Sequence, residues 1–412
     1  MDDQPRQQNQ PVMPSQPAGS IEPAPTPPPE PPEQMPQPTQ HHARKGAFLA
    51  LLALVIVGIV AVGVVLAVQI MTKQSSARIK VGVMMAFSGG SSSMGYGAMK
   101  GVQLAKKELD ADNIDIIQVD SKCDAKTAGE VVKQLIAQNV VAIIGEGCSS
   151  ATVAALPAAN NAKIPMISPS ASSTTLTTPD DYFFRVVPPD TFQGTFMAQT
   201  IYDRGIRKVA IFYTNEPYGS SMNAVFREQF EALGGQVVAT ASAEPDVIDL
   251  DTQIKTLKAA NPEAIFIAPN SVVSATAAMK LAREAGIKAP FFGADIMYDN
   301  TIISNNPAVA EGLTISSFPT GTKAFKQSLV NEYGKSEQLY AAPQAYDIIH
   351  LLQVAVQRGA TTGEQIKNIL PQITLSDAVS GFKQFDVNGE VSEKSYRYDL
   401  FQVKNGAFTL VE

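Results

Sequence analysis

From Ile79 to Phe292 the chain alternates short β-branched or aliphatic runs with longer stretches of helical apolar spacing. The short runs predict strands at 79–87, 114–119, 140–144, 164–167, 208–213, 236–240, 264–268 and 290–292. The longer ones predict helices at 96–109, 125–138, 151–160, 220–233, 251–260 and 274–285. Strands that alternate with helices build parallel sheets covered on both faces. Two such series follow one another, so the expected fold class is α/β: two doubly wound parallel-sheet lobes of similar size with a ligand cleft between them. The tail changes style. Helices at 323–333 and 344–357 precede strands at 382–386, 396–403 and 408–411, and Asp386 to Gly389 reads as a hairpin turn.

The stretch from Val140 to Ser173 carries the candidate site, because it twice turns from an apolar strand into small hydroxyl residues. Gly145, Glu146 and Gly147 stop the first strand, and Ser149 and Ser150 stand where an N-cap belongs. In the helix that follows, Pro157 is expected to bend or shorten it. After the second strand come Ser168, Pro169, Ser170, Ala171, Ser172 and Ser173. Ligands of open α/β sheets bind beyond the carboxyl ends of strands, where helix N-termini favour anions, so two such turns suit a carboxylate. The plainer alternatives are that Ser149 is only a cap and that Ser170 and Ser172 are ordinary loop serines.

Composition changes the picture at the N-terminus. Residues 1–46 form a leader dominated by Pro and Gln, too poor in large apolar side chains to offset the entropy of ordering, and they read as disordered. An uncharged apolar run from Ala47 to Val68 follows His41, His42, Arg44 and Lys45, and at about 1.5 Å per residue it spans about 33 Å, enough to cross a bilayer. Residues 47–70 are therefore read as a transmembrane anchor and 71–77 as a linker, with the folded part outside the cytoplasm. Cleavage after the run is the alternative, since Ser75 and Ala77 make a small-x-small pattern. Removing the four basic and five acidic residues of 1–77 leaves 28 basic and 34 acidic, a net charge of −6, which argues against nucleic acid as a partner.

Cys123 and Cys148 are the only cysteines, and both follow predicted strands of the first lobe. Adjacent parallel strands would bring them together as a disulfide, which fits an oxidising compartment; two unrelated buried thiols are the alternative. No metal is expected: the cysteines have no accompanying ligands, and neither does the His41–His42 pair. Gly95, Gly97 and Gly101 make a GxGxxxG pattern, and Asp120 ends the next strand where a ribose-binding acid would sit. However, SGGSSSM separates Phe87 from Gly95, whereas a dinucleotide turn follows its strand almost at once. His350 lies inside an apolar helix, and no nucleophile and base accompany each other, so neither an enzyme nor a cofactor is expected.

Several segments, in order, are similar to one known family: IKVGVMMAFSGGSSSMGYGAMKG, DSKCDAKTAGEVVKQLI, IIGEGCSSAT, PMISPSASS, YFFRVVPPDTFQG, NEPYGSSM, LAREAGIKAPFFGAD and AYDIIHLL. From Arg78 onward the chain resembles the branched-chain amino-acid (Leu/Ile/Val) binding proteins, the substrate-binding subunits of ABC importers, which have the type I periplasmic-binding fold. The resemblance implies lobe 1 from 78–188 with 319–379 and lobe 2 from 189–318 with 380–412, hinged near Pro188, Phe318 and Val379.

It also implies a ligand set. The family holds an α-carboxylate with first-lobe hydroxyls and N–H groups and an α-ammonium with a second-lobe acid. By position Ser149 matches the first turn, and Ser170, Ala171 and Ser172 match the second. Tyr218 matches a cleft aromatic and Asp295 the ammonium-binding acid. Three departures put branched-chain selectivity in question: Asp295 replaces a Glu, Met94 stands where an aromatic residue often covers the ligand, and Ser271 stands where a pocket tyrosine is found. Read without the family, Asp295 is a cap, Tyr218 a packed helix-start aromatic and Met94 core filling.

The expected function is a membrane-tethered extracytoplasmic solute-binding protein that passes an amino acid or similar zwitterion to ABC-importer permease and ATPase subunits. A ligand-sensing ectodomain acting through a partner is the alternative.

Overall fold

Burial on both faces, the mark of a covered parallel strand, holds along β1 (Ile79–Met85), where every residue but Lys80 is buried. The computed structural model describes residues 77–334, 340–391 and 396–411, preceded by Val55, Gly58 and Ile59, which are helical. The leader, the rest of the anchor 47–70 and the linker up to residue 76 lie outside the described residues. Among the described residues no helix is long and apolar enough to cross a membrane. The chain divides into two units, Met1–Gln74 and Ser75–Glu412, and both sheets of the fold belong to the second.

After β1 come α1 (Ser92–Glu108), β2 (Ile114–Asp120), α2 (Ala125–Ala137), β3 (Ala142–Gly145), α3 (Ser149–Asn161), β4 (Met166–Ser168) and β5 (Phe183–Arg185). The five strands form one parallel sheet in the order β2-β1-β3-β4-β5. The second series is α4 (Asp190–Asp203), β6 (Lys208–Thr214), α5 (Pro217–Ala232), β7 (Gln236–Ala243), α6 (Asp251–Ala259), β8 (Ala264–Ala268), α7 (Val272–Glu284) and β9 (Phe291–Gly293). Two short helices, α8 (Asn300–Asn305) and α9 (Pro307–Ala310), lead to β10 (Thr314–Ser317). Helices α10 (Lys323–Tyr333), α11 (Ala342–Gln357) and α12 (Gly363–Ile369) precede the hairpin β11 (Asp399–Lys404) and β12 (Ala407–Leu410). The second sheet runs β12-β11-β10-β9-β8-β6-β7, parallel except for the antiparallel hairpin.

The chain leaves the first sheet after β5, returns after β10 to lay α11 on α1, and ends in the second sheet. Gly101 permits the packing of α1 on α11, because a Cβ there would stand 2.0 Å from the Ala342 carbonyl oxygen. A Cβ on Gly95 would likewise meet the Ala86 carbonyl at 1.9 Å. Two glycines of the GxGxxxG pattern thus serve close packing. Asp120 is also structural: it accepts from the Phe87 N–H (2.8 Å) and the Ser88 hydroxyl (2.6 Å), fixing the loop after β1. In the second lobe Phe226, Phe230 and Phe266 stack as a buried column, with centroids 5.4 and 4.3 Å apart.

Beside the crossovers lies a buried ion pair. Arg185, with no exposed side-chain surface, donates to Glu390 through Nε (2.6 Å) and Nη2 (2.7 Å), and to the Ser173 carbonyl through Nη1 (2.9 Å). A guanidinium satisfied on this many edges can be kept out of water.

Several boundaries differ from the sequence reading. Residues 382–386 form no strand; Phe385 makes a single bridge to Val391, while Phe382 and Phe385 pack on each other and Phe385 on Phe184. Their alternation reflects packing under β5. The turn at Asp386 is present, with the Gly389 N–H bonded to the Asp386 carbonyl (3.2 Å). Pro157 does not shorten α3, which continues to Asn161, and Cys148 rather than a serine is its N-cap. The strands β5 and β10 and the helix α4 have no counterpart among the elements expected from sequence.

Cys123 and Cys148 are joined as a disulfide, with Cα atoms 5.5 Å apart. They do not follow adjacent strands, because β1 lies between β2 and β3. The loops instead meet over the carboxyl end of β1, and the first turns back through positive φ at Lys122 and Cys123, both +59°. A cross-link across 25 residues contributes roughly 3 kcal/mol in the chain-entropy model. Replacing both cysteines by serine is expected to lower the unfolding free energy by about that amount in urea titrations; an unchanged midpoint and slope would show that the cross-link adds nothing.

Candidate functional site

The two serine turns of the first sheet are bolted to each other. Ser168 at the end of β4 donates to the Glu146 carbonyl (2.6 Å) and accepts from the N–H groups of Ser170 (3.2 Å) and Ala171 (2.8 Å). Ser149 accepts from the Ser173 N–H at 3.1 Å. Glu146 steadies the first turn from below, accepting from the Ser121 hydroxyl and the Cys148 N–H, each at 3.0 Å. It is fully buried, and burial pushes its carboxyl up to about 7 against the pull of these donors.

The second sheet offers Asp295, 2% exposed, just beyond the carboxyl end of β9. Its Oδ1 accepts from the Tyr218 hydroxyl at 2.8 Å, and its Oδ2 accepts from the Tyr340 hydroxyl. Burial raises the Asp295 carboxyl, and the hydroxyls of Tyr340 and Tyr218 oppose the rise. Tyr218 is aimed by its helix start: Glu216 caps α5, accepting from the N–H groups of Tyr218 (2.8 Å) and Gly219 (2.6 Å). Tyr340, which precedes α11, also bonds the Ser170 hydroxyl at 2.7 Å. A single chain of contacts therefore runs from the second serine turn to the second-lobe acid.

Other contacts hold the two sheets' loops together. Ser91 donates to the Asn270 carbonyl (3.0 Å), Asn270 Nδ2 approaches Cys123 Sγ (3.4 Å), Ser173 donates to the Pro217 carbonyl (3.0 Å), and the Thr174 N–H donates to Ser221 (3.1 Å). The cleft is closed. Its cavity of about 10 Å³, room for the centre of one water-sized sphere, is lined by Met94, Gly147, Ser149, Ser170, Tyr218, Asn270, Asp295, Ile296 and Tyr340.

Of the residues singled out in the sequence, Met94, Ser149, Ser170, Tyr218 and Asp295 line this cavity, and Ala171, Ser172 and Ser271 do not. Ser271 caps α7, accepting from Val273 and Ser274, and its hydroxyl bonds Asp246. The Ser172 hydroxyl is buried without a hydrogen-bond partner among the described residues. Sequence reasoning missed Asn270, Ile296 and Tyr340. Asn270 and Ile296 could have been found, each being adjacent to a residue that was named; Tyr340 has no local motif. Among the described residues no group of three or more His, Cys, Asp or Glu side chains is placed to hold a metal ion.

Behind the cavity Asp190 opens α4, and its N–H bonds the Ser172 carbonyl (2.8 Å). Neither carboxylate oxygen has a hydrogen-bond partner among the described residues. Burial pushes this carboxyl up to about 7, the nearby Ser172 and Ser221 hydroxyls opposing and the charge of Asp295 adding to the rise. A raised folded-state value means that the folded protein keeps a proton the unfolded chain has released. This group's effect on stability is therefore absent below about 3.8 and becomes increasingly unfavourable as pH rises to about 7. Asp190→Asn removes that loss. Relative to Asp190→Asn, the wild type is expected to lose at least about 1 kcal/mol of unfolding free energy between pH 4 and pH 7.5. Parallel denaturant curves across that range would refute this.

With an acid on one side and hydroxyls and N–H groups on the other, the site is suited to holding opposite charges a few bonds apart. The Leu/Ile/Val-binding protein of Citrobacter freundii is 24% identical over 246 residues, which are 58% of this chain and 67% of that protein. The leucine-specific-binding protein of Salmonella typhimurium is 23% identical over 343 residues, 79% of this chain and 90% of that one. Among solved structures, a leucine binding protein from Thermotoga maritima superposes with a TM-score of 0.75 at 24% identity, covering 81% of this chain and 98% of its own. The branched-chain amino acid transporter substrate binding protein of Streptococcus pneumoniae, in complex with isoleucine, gives 0.72 at 26% identity, covering 81% and 99%. The model of the family described as "Periplasmic binding protein" matches residues 78–407, and the chain belongs to that family.

Proposed function

We propose that the protein captures an amino acid or related small zwitterion outside the cytoplasm and presents it to an ABC importer. The observation that carries this is Asp295: a buried acid at the end of a second-lobe strand, facing the first-lobe serine turns across one small cavity. An α-ammonium would take the acid, and an α-carboxylate the Ser149 and Ser170 side with its N–H groups. Because the ligand touches both lobes, it stabilises the closed state by its differential affinity for that state. The names of the relatives support an amino acid, and the disulfide supports an oxidising compartment. The lobe boundaries proposed are those of the sequence reading, 78–188 with 319–379 and 189–318 with 380–412. Ala171, Ser172 and Ser271 are assigned to the rim of the ligand set. Asp295 is a methylene shorter than Glu, so a bulky aliphatic ligand is not favoured over a smaller one.

Removing the charge while keeping the shape tests the assignment. Breaking a buried charge pair costs about 2 to 5 kcal/mol, so Asp295→Asn should weaken binding of the preferred member of a panel of the twenty common amino acids by at least about 30-fold in calorimetry. Equal affinity in the variant, or no binding of any amino acid by the wild type, would remove the zwitterion assignment.

The run at 47–70 is proposed to tether the protein in the membrane, keeping it near its permease and raising its local concentration. The mature protein should then sediment with membranes and retain its N-terminal leader. N-terminal sequencing that begins near Arg78 would refute the tether and leave the binding assignment untouched.

A further inference from the structure

Glu146 is a fully buried acid whose bonded donors are both neutral: the Ser121 hydroxyl meets Oε1 and the Cys148 N–H meets Oε2, each at 3.0 Å. Its main-chain carbonyl accepts from Ser168, so this one residue ties together the turns that follow β2, β3 and β4. It lines no part of the cavity, whereas its neighbours Gly147 and Ser149 do. The elements around it bring it no bonded cation. α3, β4 and residues 169–173 carry no titratable side chain, β1 ends in Met84 and Met85, and α1 sets Met94 over Gly147. α2 keeps Lys126, Glu130 and Lys133 exposed, and in the loop after β2 Lys122 and Asp124 are exposed as well. Asp120 adds its negative charge, and Asp295, Tyr218 and Tyr340 stand across the cavity. A carboxyl buried among neutral donors sits close to the balance between its two forms, and burial puts Glu146 there, at about 7.

Either protonation state keeps the turn bonded. A serine hydroxyl both donates and accepts, so Ser121 serves the ionised carboxylate as a donor and the protonated acid as an acceptor, while the Cys148 N–H donates to both. What changes is the charge beneath the turn. Glu146 Oε2 is 3.0 Å from the Cys148 nitrogen, and the Ser149 nitrogen is at most about 3.6 Å further along the chain. An anion accepting from the Ser149 N–H would therefore lie within about 10 Å of the buried carboxyl, and bent bonds only shorten that span. Two like charges at this separation, partly screened by the protein, change a binding constant roughly tenfold. We infer that Glu146 is a positioning residue whose proton is linked to ligand binding: protonated, it holds the first turn and leaves the anion site above it unopposed; ionised, it sets a negative charge under that site and weakens the hold on the ligand carboxylate. This rests on the proposal that the carboxylate binds at the Ser149 turn. By reciprocity, the ligand carboxylate favours the proton on Glu146, so binding takes up protons near neutral pH.

The test uses the full chain in detergent and titration calorimetry with whichever of the twenty common amino acids the wild type binds most tightly. Glu146→Gln keeps the size of the side chain and removes its charge. The ratio of wild-type to Glu146→Gln affinity is expected to fall about tenfold as pH rises from about 5.5 to about 8.5, the range in which Glu146 loses its proton. The ligand's own groups, Asp190 and Asp295 are common to both proteins, so the ratio isolates Glu146. At about pH 7.5, in phosphate and in Tris, the wild type should take up about half a proton more per ligand bound than the variant. Ser121→Ala removes a bond that favours the ionised form and should move the fall to higher pH. A ratio that stays constant with pH, or equal proton uptake in wild type and Glu146→Gln, would overturn the inference and leave the proposed function standing. If Glu146→Gln does not fold, Ser121→Ala decides, and an affinity profile that superimposes on the wild type would overturn it. Absence of amino-acid binding by the wild type at every pH would remove the proposed function and this inference together.

Discussion

A carboxylate with almost no exposed surface is costly to keep charged unless donors meet it, and Asp295 receives them from two tyrosines that reach it from different parts of the chain. Much of the surrounding architecture serves that requirement. Glu216 gives up its side chain to cap α5 and so sets the direction of Tyr218. The close approach of α11 to α1, possible only with glycine at position 101, sets the start of the helix that Tyr340 precedes. On the opposite wall, the hydroxyls of Ser168 and Ser149 fix one turn to the other, while those of Ser170 and Ser173 reach across. The cleft is thus assembled from polar groups that bond one another, and those bonds are what give it a defined shape.

The architecture was legible because parallel strands buried on both faces leave continuous apolar runs, and two series of them could be counted along the chain. β5 ends in the buried Arg185 and β10 reads Thr-Ile-Ser-Ser, so neither shows a continuous apolar run, and α4 is obscured by the Pro188–Pro189 crossover that begins it. The alternation at 382–386 was read as a strand because packing under β5 imposes the same spacing as pairing does. The cysteine pairing was legible, but not for the reason the sequence offered: the strand between the two loops is invisible to a reading that assumes neighbours in sequence are neighbours in the sheet.

The site was legible where chemistry and strand ends coincide, at Ser149, Ser170 and Asp295. Tyr340 had no such marker, since its role comes from a helix that crosses back from the far end of the chain. Ser271, which stands where the resemblance places a pocket tyrosine, has its hydroxyl engaged by α7 and Asp246. The fold itself does not choose the ligand. What distinguishes one member from another is the handful of side chains between the lobes.

The C-terminal hairpin has a bearing on the order in which the protein can be made. β11 pairs with β10 and β12 with β11, and the two, drawn from residues 399–410, supply two of the seven strands of the second sheet. Until those residues leave the ribosome, β10 presents an unpaired edge with buried apolar neighbours. Residues 399–410 are therefore needed to finish a sheet whose first strand, β6, begins almost two hundred residues earlier. A chain built this way cannot close the second sheet from the segment 208–317 alone, so the two lobes' last contacts wait on a hairpin far along the chain.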